Sequence, residues 1–195
     1  GNMSRSRDLA DVISGQGSLP YDSLQAGSVI QVKNLQIATN SVHTITSVGQ
    51  FELDAMSLAI TPRFNNSQML VSGAFYMTPE STSLTCNARL VRVVGGTTTV
   101  INTATTGSQS SGAVSSQGAM FHVYSNPAIA GTMGINQNSF FVLDTVSSTS
   151  EHTYKIQLGG NATSNIHFNQ YGVSSLAYED TWTPVSFMFI LEIKA

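Results

Sequence analysis

Charge is what this chain has least of. Only 10% of its 195 residues are Asp, Glu, Lys or Arg, against ~25% in ordinary soluble domains. The formal net charge is -3 and its Lys and Arg residues are scattered. Without a basic stripe, nothing draws in the phosphates of nucleic acid or an anionic membrane surface. No run approaches the ~18 apolar residues of a membrane-spanning helix, so no membrane insertion is expected. The single cysteine, Cys86, rules out a disulfide within the chain. In Leu84-Thr85-Cys86-Asn87-Ala88 it reads as a small apolar core residue, with no local His or cation to make it a nucleophile.

Catalytic signatures are equally scarce. His43, His122, His152 and His167 show no HxH or HxxxH spacing, and strand positions suit them better than a metal site. Glu52 and Asp54 share a strand face at i, i+2, and Glu179-Asp180 reads as a turn before Trp182. Neither pattern announces the converging carboxylates, ~5–10 Å apart, of a glycosidase. No Gly-x-Ser-x-Gly elbow is present. Gly131-Thr132-Met133-Gly134 and Gly159-Gly160 lack the Lys and helix of a phosphate loop. The sequons Asn65-Asn66-Ser67 and Asn161-Ala162-Thr163 are what chance produces in so Asn-, Ser- and Thr-rich a chain. The expectation is a protein with no catalytic residue, no metal and no cofactor.

In place of charge stand Ser, Thr, Asn, Gln and Gly, which hydrate a surface through neutral groups, as in many extracellular and virion β-proteins. Gly1-Asn2-Met3 reads as an expression scar before a native Met, which points to synthesis in a cytoplasm. Over residues 4–14, Leu9, Val12 and Ile13 fall at i, i+3, i+4 and predict a short helix with one narrow apolar stripe. A linker, Gly15–Pro20, follows. Residues 1–26 are thus a leader, and 27–195 a single domain.

That domain reads as all-β. Strands are expected at Ser28–Ile37, Ser41–Thr46, Phe51–Thr61, Gln68–Met77, Ser83–Val94, Thr97–Thr103, Gly118–Ser125, Ser139–Val146, His152–Leu158, Asn165–Phe168 and Val185–Lys194. Turn-forming Gly, Pro and Asn separate them, and Gly95-Gly96 marks a hairpin. Short, evenly spaced strands predict an antiparallel sandwich or barrel. Between Asn102 and Gln117 runs a polar low-complexity loop.

The strands are of two kinds. His152–Leu158 alternates, with Tyr154, Ile156 and Leu158 inward and Lys155 and Gln157 outward, as a half-solvated strand should. Gln68–Met77, Phe140–Leu143 and the C-terminal strand are apolar on both faces. In the last, Phe187, Phe189, Leu191 and Ile193 share one face and Met188 and Ile190 the other, before Glu192 and Lys194 end it. One face is covered by the protein's own second sheet, and the other calls for a neighbouring subunit. Phe187, Phe189, Leu191, Met188 and Ile190 are the candidate interface residues.

The block Asp54-Ala55-Met56-Ser57-Leu58-Ala59-Ile60-Thr61-Pro62-Arg63-Phe64-Asn65-Asn66-Ser67-Gln68-Met69-Leu70-Val71-Ser72-Gly73 resembles the strand, Ile-Thr-Pro, polar turn, strand arrangement of bacteriophage tail-fibre and related virion proteins. Ala88-Arg89-Leu90-Val91-Arg92, Leu191-Glu192-Ile193 and the leader Arg7-Asp8-Leu9-Ala10-Asp11-Val12 are compatible with it. Together these segments cover about a third of the chain. The resemblance implies a jelly-roll β-sandwich like that of tumour necrosis factor, assembled as a homotrimer at a fibre tip or similar virion appendage. It implies attachment to a host cell-surface glycan or protein and contacts with other virion proteins. A purely structural head or tail decoration protein and a carbohydrate-binding or carbohydrate-degrading module are the alternatives. In a trimer a lone residue is repeated around the axis, which makes His122 a candidate for an ion there. For receptor binding the candidates are Tyr171, Tyr178 and Trp182, aromatics in the loop-like segment Gln170–Pro184, where a rigid sandwich would present them. The competing role for Trp182 is to plug one end of the sandwich.

Overall fold

Alternating side chains and turn residues produce strands, and the strands of this chain sort into two antiparallel sheets. The computed structural model describes residues 24–46, 51–79, 85–101, 121–124, 136–160, 163–170 and 184–195. Among them are β1 (Val29–Ile37), β2 (Ser41–Ile45), β3 (Phe51–Ile60), β4 (Gln68–Pro79), β5 (Thr85–Val94), β6 (Thr97–Val100), β7 (Phe121–Tyr124), β8 (Asn136–Thr145), β9 (His152–Gly160), β10 (Ser164–Phe168) and β11 (Ser186–Ile193). Every expected strand is present, with ends shifted by a few residues. The expected helix at 4–14, the loop Asn102–Gln117 and the aromatics Tyr171, Tyr178 and Trp182 lie outside the described residues.

The first sheet has the order β1-β11-β4-β10-β2, with β8 also on β4. Both β11 and β8 pair with Gln68–Ala74, so they flank β4 on opposite edges. β10 continues from β11 along Met77–Pro79. The three strands that read as apolar on both faces are therefore neighbours. The second sheet has the order β3-β9-β5-β6, with β7 also on β5. Gly95 and Gly96 close the β5–β6 hairpin at φ 55° and 83°, left-handed values that match the twist of a two-residue hairpin and favour glycine at both positions.

Inward residues of both sheets meet in one core. Met69, Val71, Phe75, Met188 and Ile190 come from the first, and Met56, Leu90, Tyr154, Ile156 and Leu158 from the second. Gly73 faces this core where β4 and β11 run close. A Cβ there would lie 2.2 Å from the Phe187 carbonyl oxygen and 3.0 Å from the tip of the Phe140 ring. Phe140 thus fills the space that a side chain would need.

Polar clamps close the ends, since a buried polar group without a partner is costly. Glu192, expected with Lys194 to end the apolar run of the last strand, is fully buried. Its carboxylate accepts from the Arg63 amide (2.7 Å), the Phe64 amide (3.3 Å), the Ser67 hydroxyl (2.6 Å) and the Gln31 side-chain amide (2.6 Å). At the other end of β11, buried Asn169 takes a left-handed conformation, φ 58°, which Asn tolerates. It donates to the carbonyls of Ile37 and Thr39 and accepts from the Ser186 hydroxyl. Between the sheets, Arg92 of β5 pairs with Asp144 of β8 at 2.7 Å, and the Tyr154 hydroxyl of β9 donates to the same carboxylate oxygen at 2.7 Å.

Candidate functional site

The outward faces of the two sheets differ in chemistry. On the second sheet Asp54, Gln157 and Arg89 stand side by side in register. Lys155 and Gln157 donate to Asp54, and Arg89 donates twice to Gln157. A ladder of this kind is a face made for water.

The first sheet presents the opposite. Because paired residues share a face, the register lines up Val32, Leu191, Leu70 and Leu143 in one outward row. Asn34, Phe189, Ser72 and Phe141 form the next, and Gln36, Phe187, Ala74 and Ser139 the third. None of these side chains is charged. Phe141 is 72% exposed, Val32 58%, Leu143 53% and Phe187 39%. The Phe187 and Phe189 rings lie parallel with centroids 6.5 Å apart. Four strands at ~4.8 Å spacing and three rows repeating every ~6.8 Å give a footprint of roughly 300–400 Å². Within it Asn34, Gln36, Ser72 and Ser139 are polar, so the apolar part is smaller than the footprint, and it is the clustering of Val32, Phe141, Leu143 and Phe187 that sets this face apart.

Of the candidate interface residues, Phe187, Phe189 and Leu191 lie on this face. Met188 and Ile190 do not: both are completely buried between the sheets. The parity of β11 sends successive residues to opposite sides, so the outward set narrows to the odd-numbered positions. Phe141, Leu143, Val32 and Leu70 join it, and the sequence candidates did not include them. The doubly apolar run Phe140–Leu143 carried the signal for the first two. Val32 and Leu70 needed the register.

His43 meets Ser41 and the edge of Phe168, and burial pushes its pKa below the ordinary value. His152 contacts the Ser150 carbonyl, and His167 the Gln170 side chain. The backbone of His122 lies in β7 opposite Asn87. Among the described residues no group of three or more His, Cys, Asp and Glu is placed to hold a metal ion. An open groove of about 270 Å³ lies beside β1 and the β3–β4 turn, rimmed by Gln31, Lys33, Thr61, Arg63 and Glu151. Its charged rim residues are of both signs, Lys33 and Arg63 against Glu151, so the apolar face is the more distinctive surface.

No family model matches the chain, and no curated protein matches it. Solved structures similar to it include the infectious bursal disease virus VP2 subviral particle, at 12% identity and a TM-score of 0.39. That alignment covers 91% of this chain and 41% of the other. Dimeric latent PorU from Porphyromonas gingivalis aligns at 7% identity and a TM-score of 0.38, over 87% of this chain and 13% of that one. The chain spans less than half the length of either. At these levels the functional reading rests on the chain's own geometry.

Proposed function

We propose that this chain is a non-enzymatic structural protein of a bacteriophage virion, the tip of a tail fibre or spike, which assembles as a homotrimer of jelly-roll domains and serves in attachment to the host cell. The observation that carries the reading is the uncharged, apolar outward face of the β1-β11-β4-β8 sheet. Fully burying a large apolar side chain is worth roughly 1.5–3 kcal/mol, so a face bearing Phe141, Leu143, Val32 and Phe187 gains most by meeting another surface. A neutral face can meet a copy of itself without like charges being opposed. Closed symmetry then hides it completely. The outward face of the second sheet is polar and made for water, the chain as a whole is poor in charge, and the Asp54–Gly73 resemblance points to the same class.

Attachment follows from the assembly. Three copies presenting the segment that contains Tyr171, Tyr178 and Trp182 would gain avidity from weak single contacts with a cell-surface glycan or protein. The test is native mass in solution by light scattering. The expected value is three times the 20.7 kDa of one chain; a monomeric mass overturns the reading.

A further inference from the structure

The apolar pattern of β1 breaks on its inward side. By register Gln31, Lys33, Leu35 and Ile37 share that side, opposite Glu192, Ile190, Met188 and Ser186 of β11, all fully buried. Leu35 and Ile37 pack against the core, yet Lys33 in the same set is exposed. β1 and β3 are margins of their sheets, and the groove of about 270 Å³ lies beside them. The pairing register of β1 shifts between Val29 and Gln31 at this point, as bulges do where they re-aim a side chain. A lysine on an edge strand also discourages pairing with another chain, but that role asks nothing of the rest of the groove.

The rest of the groove is held in place. Gln31 donates to the Thr61 carbonyl (2.7 Å) and to the Glu192 carboxylate (2.6 Å), which also accepts from the Arg63 amide (2.7 Å). The backbone on both sides of Pro62 is thereby fixed, and the Arg63 side chain starts from a rigid wall. Pairing of Ile60 with His152 brings Glu151 to the same end. Two cations on one groove hold a single carboxylate by charge-assisted hydrogen bonds. Glu151 on the same rim opposes a polyanion and accepts from hydroxyl groups. The volume falls just below the ~300–1,000 Å³ of drug-sized sites, which leaves room for one sugar ring. We propose that this groove binds an acidic monosaccharide unit of a glycan, a uronic acid, with its carboxylate at Lys33 and Arg63 and its ring hydroxyls at Glu151. This inference rests on the glycan-attachment reading above and gives it a sugar class.

Amide-resolved NMR of the full chain, titrated separately with sodium glucuronate, glucose and sodium acetate, tests the assignment. Glucuronate is expected to give saturable shifts at the amides of Lys33, Thr61, Arg63 and Glu151. Glucose, which lacks the carboxylate, and acetate, which lacks the ring, should both bind far more weakly. Lys33→Gln and Arg63→Gln are made separately, so that one reports if the other fails to fold, and each should weaken glucuronate binding roughly tenfold or more. Glu151→Ala should weaken glucuronate and leave acetate unchanged. Acetate binding as tightly as glucuronate overturns the sugar assignment in favour of a simple anion site. A trimeric native mass with no glucuronate shifts at the groove overturns the site and leaves the trimeric reading standing. Glucuronate shifts at the groove of a monomer uphold the site and overturn the trimer.

Discussion

The Ser67 hydroxyl donates a 2.6 Å hydrogen bond to the Glu192 carboxylate across 125 positions of sequence. That bond fastens the β3–β4 turn to the last strand, and the Arg63 and Phe64 amides fasten it again. A carboxylate is tolerated in the interior here because four donors replace its water.

Removing that carboxylate leaves buried donors without an acceptor. Glu192→Ala is expected to cost about 3–5 kcal/mol, in the range for breaking a buried charged network. Glu192→Gln keeps one oxygen and should cost about 1–3 kcal/mol. Urea unfolding reads both as a lower midpoint at unchanged slope.

The β11 strand was legible from its sequence, and so was the parity of its side chains. What sequence could not say is that Glu192 continues the inward face of Met188 and Ile190. The three share a parity, but a charged residue at a strand end reads as a step into solvent. Only the β3–β4 turn, folded over it from far upstream, supplies the donors that reverse that reading.

Parity also makes neighbouring substitutions diverge. Phe189→Asp places a charge on the outward face and should leave the fold intact while reducing the native mass to that of a monomer. Met188→Asp, one position earlier, puts an unpaired charge in the core and should prevent folding. Light scattering and circular dichroism on the two variants separate the effects; loss of fold in Phe189→Asp would sink the claim that its ring serves assembly.

Alkaline stability should depend on Tyr154. Burial, then its hydrogen bond to Asp144 and the charge of Asp144, hold the phenol above its ordinary pKa, with Arg92 opposing. The unfolded chain releases that proton near pH ~10 while the folded chain keeps it. Stability from this group is therefore full below pH ~10 and falls as pH climbs above it. Tyr154→Phe should lose about 1 kcal/mol at neutral pH and show a shallower alkaline decline, measured by unfolding midpoints on either side of pH ~10.

Gly73→Ala should be disproportionately harmful for one methyl group. Its Cβ would stand 2.2 Å from the Phe187 carbonyl oxygen, so β4 and β11 must separate to admit it. Overpacking of this kind costs about 1–3 kcal/mol, and the upper end is expected because backbone must move. Thermal unfolding would show it, and a variant as stable as the parent would contradict the close strand approach.

By itself the sequence determined the local structure: strand positions, hairpin turns, the all-β class, and which strands carry apolar residues on both faces. These follow from period-two alternation and from the backbone preferences of Gly, Pro and Asn, which act over a few residues. Tertiary structure alone decided that β8, β4 and β11 lie side by side and that Phe141 and Leu143 share a face with Phe187 and Phe189. It also set Asn169 and Glu192 as buried clamps. Those outcomes depend on pairing register between segments far apart in the chain. A one-residue slip in register exchanges the two faces of a strand, so no local pattern can say which apolar face is left looking outward.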